Sequence, residues 1–132
     1  MAKLFVNLPV KDLEQSVEFF TKLGFTFNPQ FSDDKGTCMI VGDDAFVMLL
    51  TEPFFGQFTK KELANSEAAT ETIIAISADS KQAVDTMVDT ALEAGGSTSN
   101  DTSDQGFMYT RSFQDLDHHL WEVIYMDPNT VS

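Results

Sequence analysis

The sequence predicts an α+β fold made of two similar βαβββ modules. Near the start of the chain, an apolar strand pattern over residues 4–10 leads directly into a helix capped by Asp12. The same order recurs at residues 70–77, where the helix that follows is capped by Ser80. After each helix, further strand patterns end in a β-hairpin. An architecture that occurs twice in one chain indicates an internal duplication.

The helix of the first module has clear ends. Asp12 is followed three residues later by Gln15, which is typical of a helix N-terminus. Gly24 stands where a left-handed residue is expected at the C-terminus. Between them, apolar residues recur at helical spacing: Leu13, Val17, Phe20 and Leu23.

Three strands are expected after this helix. Residues 25–31 predict a strand at a sheet edge or with a bulge, because Asn28-Pro29 interrupts it. Residues 37–41 and 45–51 flank Gly42-Asp43-Asp44, which has the composition of a turn. These two segments therefore predict a hairpin.

The second module repeats this order with different side chains. The helix from Ser80 has apolar residues at spacings of three and four, and Gly95-Gly96 ends it. After a polar loop, residues 107–113 and 119–126 flank Asp115-Leu116-Asp117 and predict a second hairpin.

The two modules are expected to form one domain over residues 1–132. The first module covers about 1–52, the linker about 53–69 and the second module about 70–127. Three phenylalanines of the linker have a spacing that allows one short helix: Phe54, Phe55 and Phe58. They would cover a cleft, dock on another chain, or pack over the linker's own core.

Composition limits the partners of the protein. The formal net charge of −13 repels phosphate backbones and anionic lipids, so neither nucleic acid nor a membrane is an expected partner. The same field would steer a cationic ligand towards the protein. Cys38 is the single cysteine and lies in an apolar strand, so it is expected in the core and no intrachain disulfide forms. Because neither a signal peptide nor a membrane span is recognisable, we expect a soluble cytoplasmic protein.

Two motifs at opposite ends of the chain resemble the vicinal oxygen chelate superfamily, which includes glyoxalases, bleomycin-resistance proteins and extradiol dioxygenases. The first is the segment 7–20 together with Leu23-Gly24-Phe25. It is similar to the family's strand, V-x-D-x-x-x-S-x-x-F-Y helix and L-G-F start. The second is the segment 115–123, which is similar to the family's D-P-D-G-x-x-x-E hairpin, with Leu116 in place of Pro and His118 in place of Gly.

The resemblance implies that the strands curl around a central cleft, that the helices cover the outer face, and that chains pair into homodimers. In the family, inward-pointing side chains hold a divalent metal that acts as a Lewis acid. The motifs place the four ligand positions at Phe5, Leu49, Ile73 and Glu122. Only Glu122 can bind a metal, and a lone carboxylate binds a divalent cation weakly. We therefore predict no cofactor and no metal site.

The two histidines and one arginine lie near Glu122 in the sequence. His118 and Glu122 would be about 13 Å apart on an extended strand, which is too far for one ion. We therefore expect His118 and His119 to be exposed turn residues. If the hairpin pairs Gln114 with His119, Arg111 lies opposite Glu122 on the cleft side and forms an ion pair with it.

Strand alternation predicts the lining of the cleft. Its expected residues are mostly apolar, with Asn7, Arg111 and Glu122 as the polar groups: Phe5, Asn7, Leu49, Ile73, Ala75, Arg111, Leu120, Glu122 and Ile124. Such a lining suits a small and partly apolar ligand. The alternative is a filled interior in which the apolar side chains replace metal and substrate.

Three functions are compatible with these residues. The first is metal-independent binding of a small molecule, with a cationic one favoured by the acidic charge, as in bleomycin resistance. The second is a metal-dependent, glyoxalase-like lyase, isomerase or dioxygenase with non-standard ligands, in which Glu122 is the candidate catalytic residue. The third is a structural or regulatory module without a pocket. Neither a phosphate-binding glycine loop nor a nucleophile elbow is recognisable.

Overall fold

The computed structural model describes residues 2–128 and divides the chain into two compact units, with the boundary between Asn65 and Ser66. Each unit contains one four-stranded mixed sheet and one long helix. This architecture confirms the predicted α+β fold with two βαβββ modules. Within the described residues, every helix is too short or too polar to cross a membrane.

The first unit has the sheet order β1-β4-β3-β2, in which β1 is parallel to β4 and the other neighbours are antiparallel. As predicted, the Asp12 carboxylate accepts a hydrogen bond from the Gln15 backbone N–H at 3.1 Å, and Gly24 has a φ of 102°. In chain order, the elements are β1 (Leu4–Val10), α1 (Leu13–Lys22), β2 (Thr26–Asn28), β3 (Gly36–Gly42), β4 (Ala45–Thr51) and the short helix α2 (Glu52–Phe55), which continues as a 3-10 turn over Gly56–Phe58.

The strand predicted at residues 25–31 is shorter in the structure. It ends at Asn28, because Pro29 cannot donate to a strand ladder and begins a 3-10 turn over Pro29–Phe31. Asn28 caps that turn by accepting a hydrogen bond from the Gln30 backbone N–H. The prediction of an edge strand is confirmed, since β2 pairs only with β3.

Register defines the two faces of the first sheet. Leu8 pairs with Leu49, and both are buried on the face that α1 covers with Phe19 and Phe20. The next residue along each strand points to the opposite, open face. Residues of β1 and β4 on this open face are Phe5, Asn7, Phe46 and Met48.

The second unit has the order β5-β8-β7-β6, in which β5 is parallel to β8. Ser80 caps the helix by accepting from the Ala83 backbone N–H at 3.0 Å, and Gly95 has a φ of 113°. In chain order, the elements are β5 (Ile73–Ser77), α3 (Lys81–Glu93), β6 (Ser103–Asp104), β7 (Met108–Gln114) and β8 (Leu120–Met126). The two-residue β6 lies in the segment that the sequence predicts to be a polar loop.

The second sheet also has one covered and one open face. Trp121, Val123 and Phe113 are fully buried on the face covered by α3, where Val84 and Val88 are buried as well. The open face carries the alternate residues of β5 and β8: Ile73, Ala75, Leu120, Glu122 and Ile124. For these five residues, the predicted common face is confirmed.

Candidate functional site

Glu122 lines a cavity of about 300 Å³ on the open face of the second sheet. Ile73 and Leu120 give this cavity apolar walls. Its polar lining consists of Glu122, one residue of β7 and two residues of the loop between α3 and β6: Ser112, Ser99 and Asn100. We call this the Glu122 cavity.

Register explains how Glu122 reaches this position. It lies in β8, the strand between β5 and β7, with Ala75 on one side and Ser112 on the other. Both neighbours are small, so the longer carboxylate has room to project from the sheet. Within residues 2–128, the Glu122 carboxylate has no hydrogen-bond or ion-pair partner in the protein. A half-buried carboxylate in this state can accept hydrogen bonds from a ligand.

Ser112 fixes the loop that forms one side of the Glu122 cavity. Its hydroxyl accepts a hydrogen bond from the Asn100 backbone N–H at 2.8 Å and donates to the Asn100 carbonyl at 3.0 Å. Both backbone groups of Asn100 are therefore satisfied, and its side chain is left for other partners. Sequence reasoning missed Ser99, Asn100 and Ser112, although Ser112 lies on the face that alternation would assign to the cavity.

The predicted ion pair between Arg111 and Glu122 is wrong. The hairpin pairs Gln114 with Leu120, not His119, so Ser112 lies opposite Glu122 and Arg111 lies opposite Val123. A shift of one residue moves a side chain to the other face of a sheet. Arg111 therefore belongs to the face covered by α3 and is not part of the Glu122 cavity.

On that face, Arg111 binds two carboxylates of α3. Its Nη1 lies 3.1 Å from Asp85 Oδ1 and 2.9 Å from Asp89 Oδ1, and its side chain is 19% exposed. Tyr109 donates its hydroxyl to Asp85 at 2.6 Å. This hydrogen bond lowers the pKa of Asp85, and Arg111 acts in the same direction. Arg111 thus attaches the helix to the sheet.

The prediction that Leu49 lines the cleft is also wrong. Leu49 is 0% exposed and lies under α1 beside Leu8. Phe46 and Met48 share the open face with Phe5 and Asn7 instead. Residues 47–50 are all apolar, so polar and apolar residues do not alternate there. The sequence therefore does not show which of these side chains point to which face of the sheet.

The open face of the first sheet carries an aromatic pair. The rings of Phe5 and Phe46 stack with centroids 5.0 Å apart, and the Lys3 Nζ lies 5.6 Å from the Phe46 centroid. Phe5 is 50% exposed. Phe5 and Asn7 are therefore on the predicted side of their own sheet, and a cleft shared with the second sheet stays a prediction.

The residues at the family's ligand positions do not fit a metal. Phe5 and Ile73 have no donor atoms, Leu49 points under α1, and Met48, which takes its place on the open face, offers only a thioether. Among residues 2–128, no group of three or more His, Cys, Asp or Glu side chains is placed to hold a metal ion.

His118 and His119 lie in the segment that joins β7 to β8, as predicted, but both are half-buried instead of exposed, and both have protein partners. His118 Nε2 lies 3.2 Å from Glu67 Oε1, and its Nδ1 lies 3.2 Å from Gln114 Oε1. His119 Nδ1 lies 3.4 Å from Ser66 Oγ. Both side chains connect the hairpin turn to the start of the second unit.

His118 also has an unusual backbone conformation. Its φ is 64°, in the left-handed region that favours glycine. It stands at the position where the terminal motif of the resembled family has glycine.

Comparison with known proteins agrees with this fold. Residues 3–42 match the family model described as bleomycin resistance protein-like N-terminal. A structure of a hypothetical protein from S. aureus is 28% identical, with a TM-score of 0.80 over 95% of this chain and 94% of that one. No curated protein matches the sequence.

Two further structures are similar in fold at lower identity. A glyoxalase/bleomycin resistance protein/dioxygenase family enzyme from Burkholderia phytofirmans PsJN has a TM-score of 0.75 at 15% identity, over 92% of this chain and 96% of that one. The fosfomycin resistance protein FosX from Mesorhizobium loti has a TM-score of 0.67 at 14% identity, over 96% and 92%. Residues 3–42 are therefore similar to the bleomycin resistance protein-like N-terminal family, and the fold of the chain is similar to that of glyoxalase/bleomycin resistance/dioxygenase structures.

Proposed function

We propose that the protein binds a small organic cation in the Glu122 cavity without a metal ion. The observation that carries this proposal is the Glu122 carboxylate, which lies in a cavity of about 300 Å³ and lacks a counter-ion among the described residues. A ligand cation would supply the missing charge. The net charge of −13 would increase the rate of its association.

The shape and lining of the Glu122 cavity support a small ligand. Ligand sites combine apolar walls with a few placed polar groups, and their volumes begin at roughly 300 Å³. Ile73 and Leu120 would contact an apolar part of the ligand, while Glu122 and the Asn100 amide would orient its polar part. The Ser112 hydroxyl is occupied by the Asn100 backbone, so it serves to position the loop.

The names of two matches also favour a ligand-binding role. The family model for residues 3–42 is named after bleomycin resistance, and FosX after fosfomycin resistance. A protein that sequesters a toxic small molecule needs affinity for the molecule but no catalytic metal. A homodimer in the cytoplasm is part of this proposal.

The proposal is tested by NMR titration of the ¹⁵N-labelled chain with benzylammonium at neutral pH and, in parallel, with benzyl alcohol as a neutral probe of similar shape. The expected result is saturable shifts of amides around Glu122 and Ser112 with benzylammonium only. Glu122→Gln should weaken binding by about tenfold to a hundredfold, because a hydrogen bond to a charged group contributes roughly 1.5–3 kcal/mol. Glu93→Gln is the matched control, since it removes the same charge from the exposed end of α3.

Two results would overturn the proposal. One is equal binding of benzylammonium to the wild type and to Glu122→Gln. The other is uptake of Ni²⁺, Zn²⁺, Fe²⁺ or Mn²⁺ at about one ion per chain that is lost in Glu122→Ala, which would favour the metal-dependent enzyme.

A further inference from the structure

The first unit contains a larger cavity that the terminal motifs do not involve. Its volume is about 510 Å³, and it lies between α1 and the segment 27–37. Thr37 pairs with Leu49, so the cavity is on the face covered by α1 and not on the open face that carries Phe5. We call it the outer cavity. Its apolar wall is formed by Leu13, Val17, Phe27 and Pro29.

A chain of hydroxyl groups ends at this cavity. The Ser32 hydroxyl donates to the Asn28 carbonyl at 2.7 Å, and the oxygens of Ser32 and Thr37 are 2.6 Å apart. A hydroxyl has only one proton to donate. Because Ser32 uses its proton on the carbonyl, Thr37 must donate to Ser32.

Thr37 is therefore left with lone pairs and no proton to offer. It is 4% exposed, lines the cavity, and has no hydrogen-bond partner other than Ser32 in the described part of the chain. The Thr37 oxygen, already bonded to Ser32, still has a lone pair that can accept a second hydrogen bond. A group that would donate to it from the cavity is an N–H or O–H donor of a ligand.

The negative charge at the outer cavity favours a donor that is positively charged. Glu14 and Glu18 are one helical turn apart on α1, and both line the cavity. Neither carboxylate has a hydrogen-bond or ion-pair partner within residues 2–128. Asp33 adds a third negative charge, although its Oδ1 already accepts from the Lys35 and Gly36 backbone N–H groups. A neutral donor would not balance these charges.

We propose that the outer cavity binds a primary or secondary ammonium group attached to an apolar body. The ammonium N–H donates to Thr37 Oγ1, Glu14 and Glu18 supply the counter-charge, and the apolar body contacts Val17 and Phe27. This site is separate from the Glu122 cavity, so the two proposals stand or fail independently.

Three probes with the same ring separate charge from hydrogen-bond donation. They are cyclohexylammonium, cyclohexyltrimethylammonium and cyclohexanol, titrated into the full ¹⁵N-labelled chain. Cyclohexylammonium should produce saturable shifts of amides in α1 and in residues 28–37. The trimethylated cation has no N–H and should bind this cavity about tenfold more weakly, and cyclohexanol weaker still.

Variants then assign the binding to the outer cavity. The double variant Glu14→Gln/Glu18→Gln should weaken cyclohexylammonium about tenfold, and since both residues are exposed, it should fold as the wild type does. Thr37→Val should abolish the preference for the N–H probe, whereas Thr37→Ser, which keeps the hydroxyl, should retain it. Glu122→Gln should leave these shifts unchanged.

The proposal is overturned if saturable shifts occur only around Glu122, or if no probe produces them near α1. It is also overturned if the double variant binds cyclohexylammonium as tightly as the wild type does. Thermal unfolding of each variant shows whether the fold is intact, and Thr37→Ser provides the hydroxyl test even if Thr37→Val does not fold.

Discussion

Trp121 donates its indole N–H to Asp115 Oδ2 at 2.9 Å, and both side chains are buried. The other carboxylate oxygen, Oδ1, accepts from the backbone N–H groups of Asp117 and His119. Burial raises the pKa of the Asp115 carboxyl, while His119 and these hydrogen bonds oppose that shift. One carboxylate thus joins the hairpin turn to the core of the second unit.

Replacing Asp115 with Ala should destabilise the protein by about 1–3 kcal/mol or more, because the buried indole N–H and two backbone donors lose their acceptor. Asp115→Asn should also destabilise it, since the amide NH₂ must face one of these donors. Urea unfolding followed by the fluorescence of Trp121, the single tryptophan, measures the change. Asp101→Ala, in an exposed loop, is the control and should have little effect. Wild-type stability of Asp115→Ala would contradict this role.

Arg111 should be coupled energetically to Asp85 and not to Glu122. A double-mutant cycle with Arg111→Met and Asp85→Asn is expected to give a coupling of about 0.2–1 kcal/mol, as for partly exposed ion pairs. The corresponding cycle with Glu122→Gln should give a value near zero, because the two side chains lie on opposite faces of the sheet. Urea unfolding of the single and double variants provides both numbers. If the coupling of Arg111 with Glu122 were larger than its coupling with Asp85, the result would support the ion pair predicted from the sequence.

Asp85 should make the free energy of unfolding depend on pH in the acid range. Its pKa in the folded protein lies below the ordinary value of 3.8, first because of the hydrogen bond from Tyr109. The unfolded chain therefore binds the proton more readily, so the stabilisation is present above that value and is lost as the pH falls through the folded pKa. The stability advantage of the wild type over Asp85→Asn should shrink on acidification. Tyr109→Phe should reduce this pH dependence, and an unchanged profile would argue against the hydrogen bond as its cause.

Gly36 should not tolerate a side chain. A Cβ at this position would lie 2.6 Å from Leu50 Cδ2 and 3.2 Å from the Leu49 carbonyl oxygen. Gly36→Ala is therefore expected to cost about 1–3 kcal/mol, as overpacking does. At Gly42 a Cβ would meet no atom within 4 Å, so Gly42→Ala is the matched control. Thermal unfolding compares the two variants, and equal midpoints would refute the close contact.

The elements that were predicted correctly depend on local chemistry. Asp12 and Ser80 satisfy backbone donors within three residues, and Gly24 and Gly95 adopt positive φ angles. Neither the capping hydrogen bonds nor the glycine conformations depend on distant parts of the chain. For this reason the helix ends and the repeated order of elements could be predicted from the sequence.

The errors at the candidate site are errors of register. The turn between β7 and β8 contains five residues, because Asp115 N–H donates to the His119 carbonyl and His118 N–H donates to the Asp115 carbonyl. Its length depends on a left-handed histidine, which sequence patterns rarely indicate. The observed register differs from the predicted one by one residue, so Ser112 and not Arg111 lies at the Glu122 cavity. Similarly, the face of Leu49 depends on the parallel pairing of β1 with β4, which joins distant segments.

The outer cavity could not have been predicted at all. It depends on how α1 lies over residues 27–37, and the direction of the hydroxyl chain depends on distances between Asn28, Ser32 and Thr37. In the sequence, Asn28 and Thr37 belong to segments that predict strands and Ser32 lies between them, so no pattern indicates that the three groups meet.

The short outermost strands β2 and β6 also affect how the protein behaves at high concentration. A sheet edge recruits strands from other molecules through a row of free backbone groups, and a long, flat edge does so best. With three residues in β2 and two in β6, these two edges offer too few groups to hold an added strand. On these two sides, the architecture itself protects the protein from aggregation by strand addition.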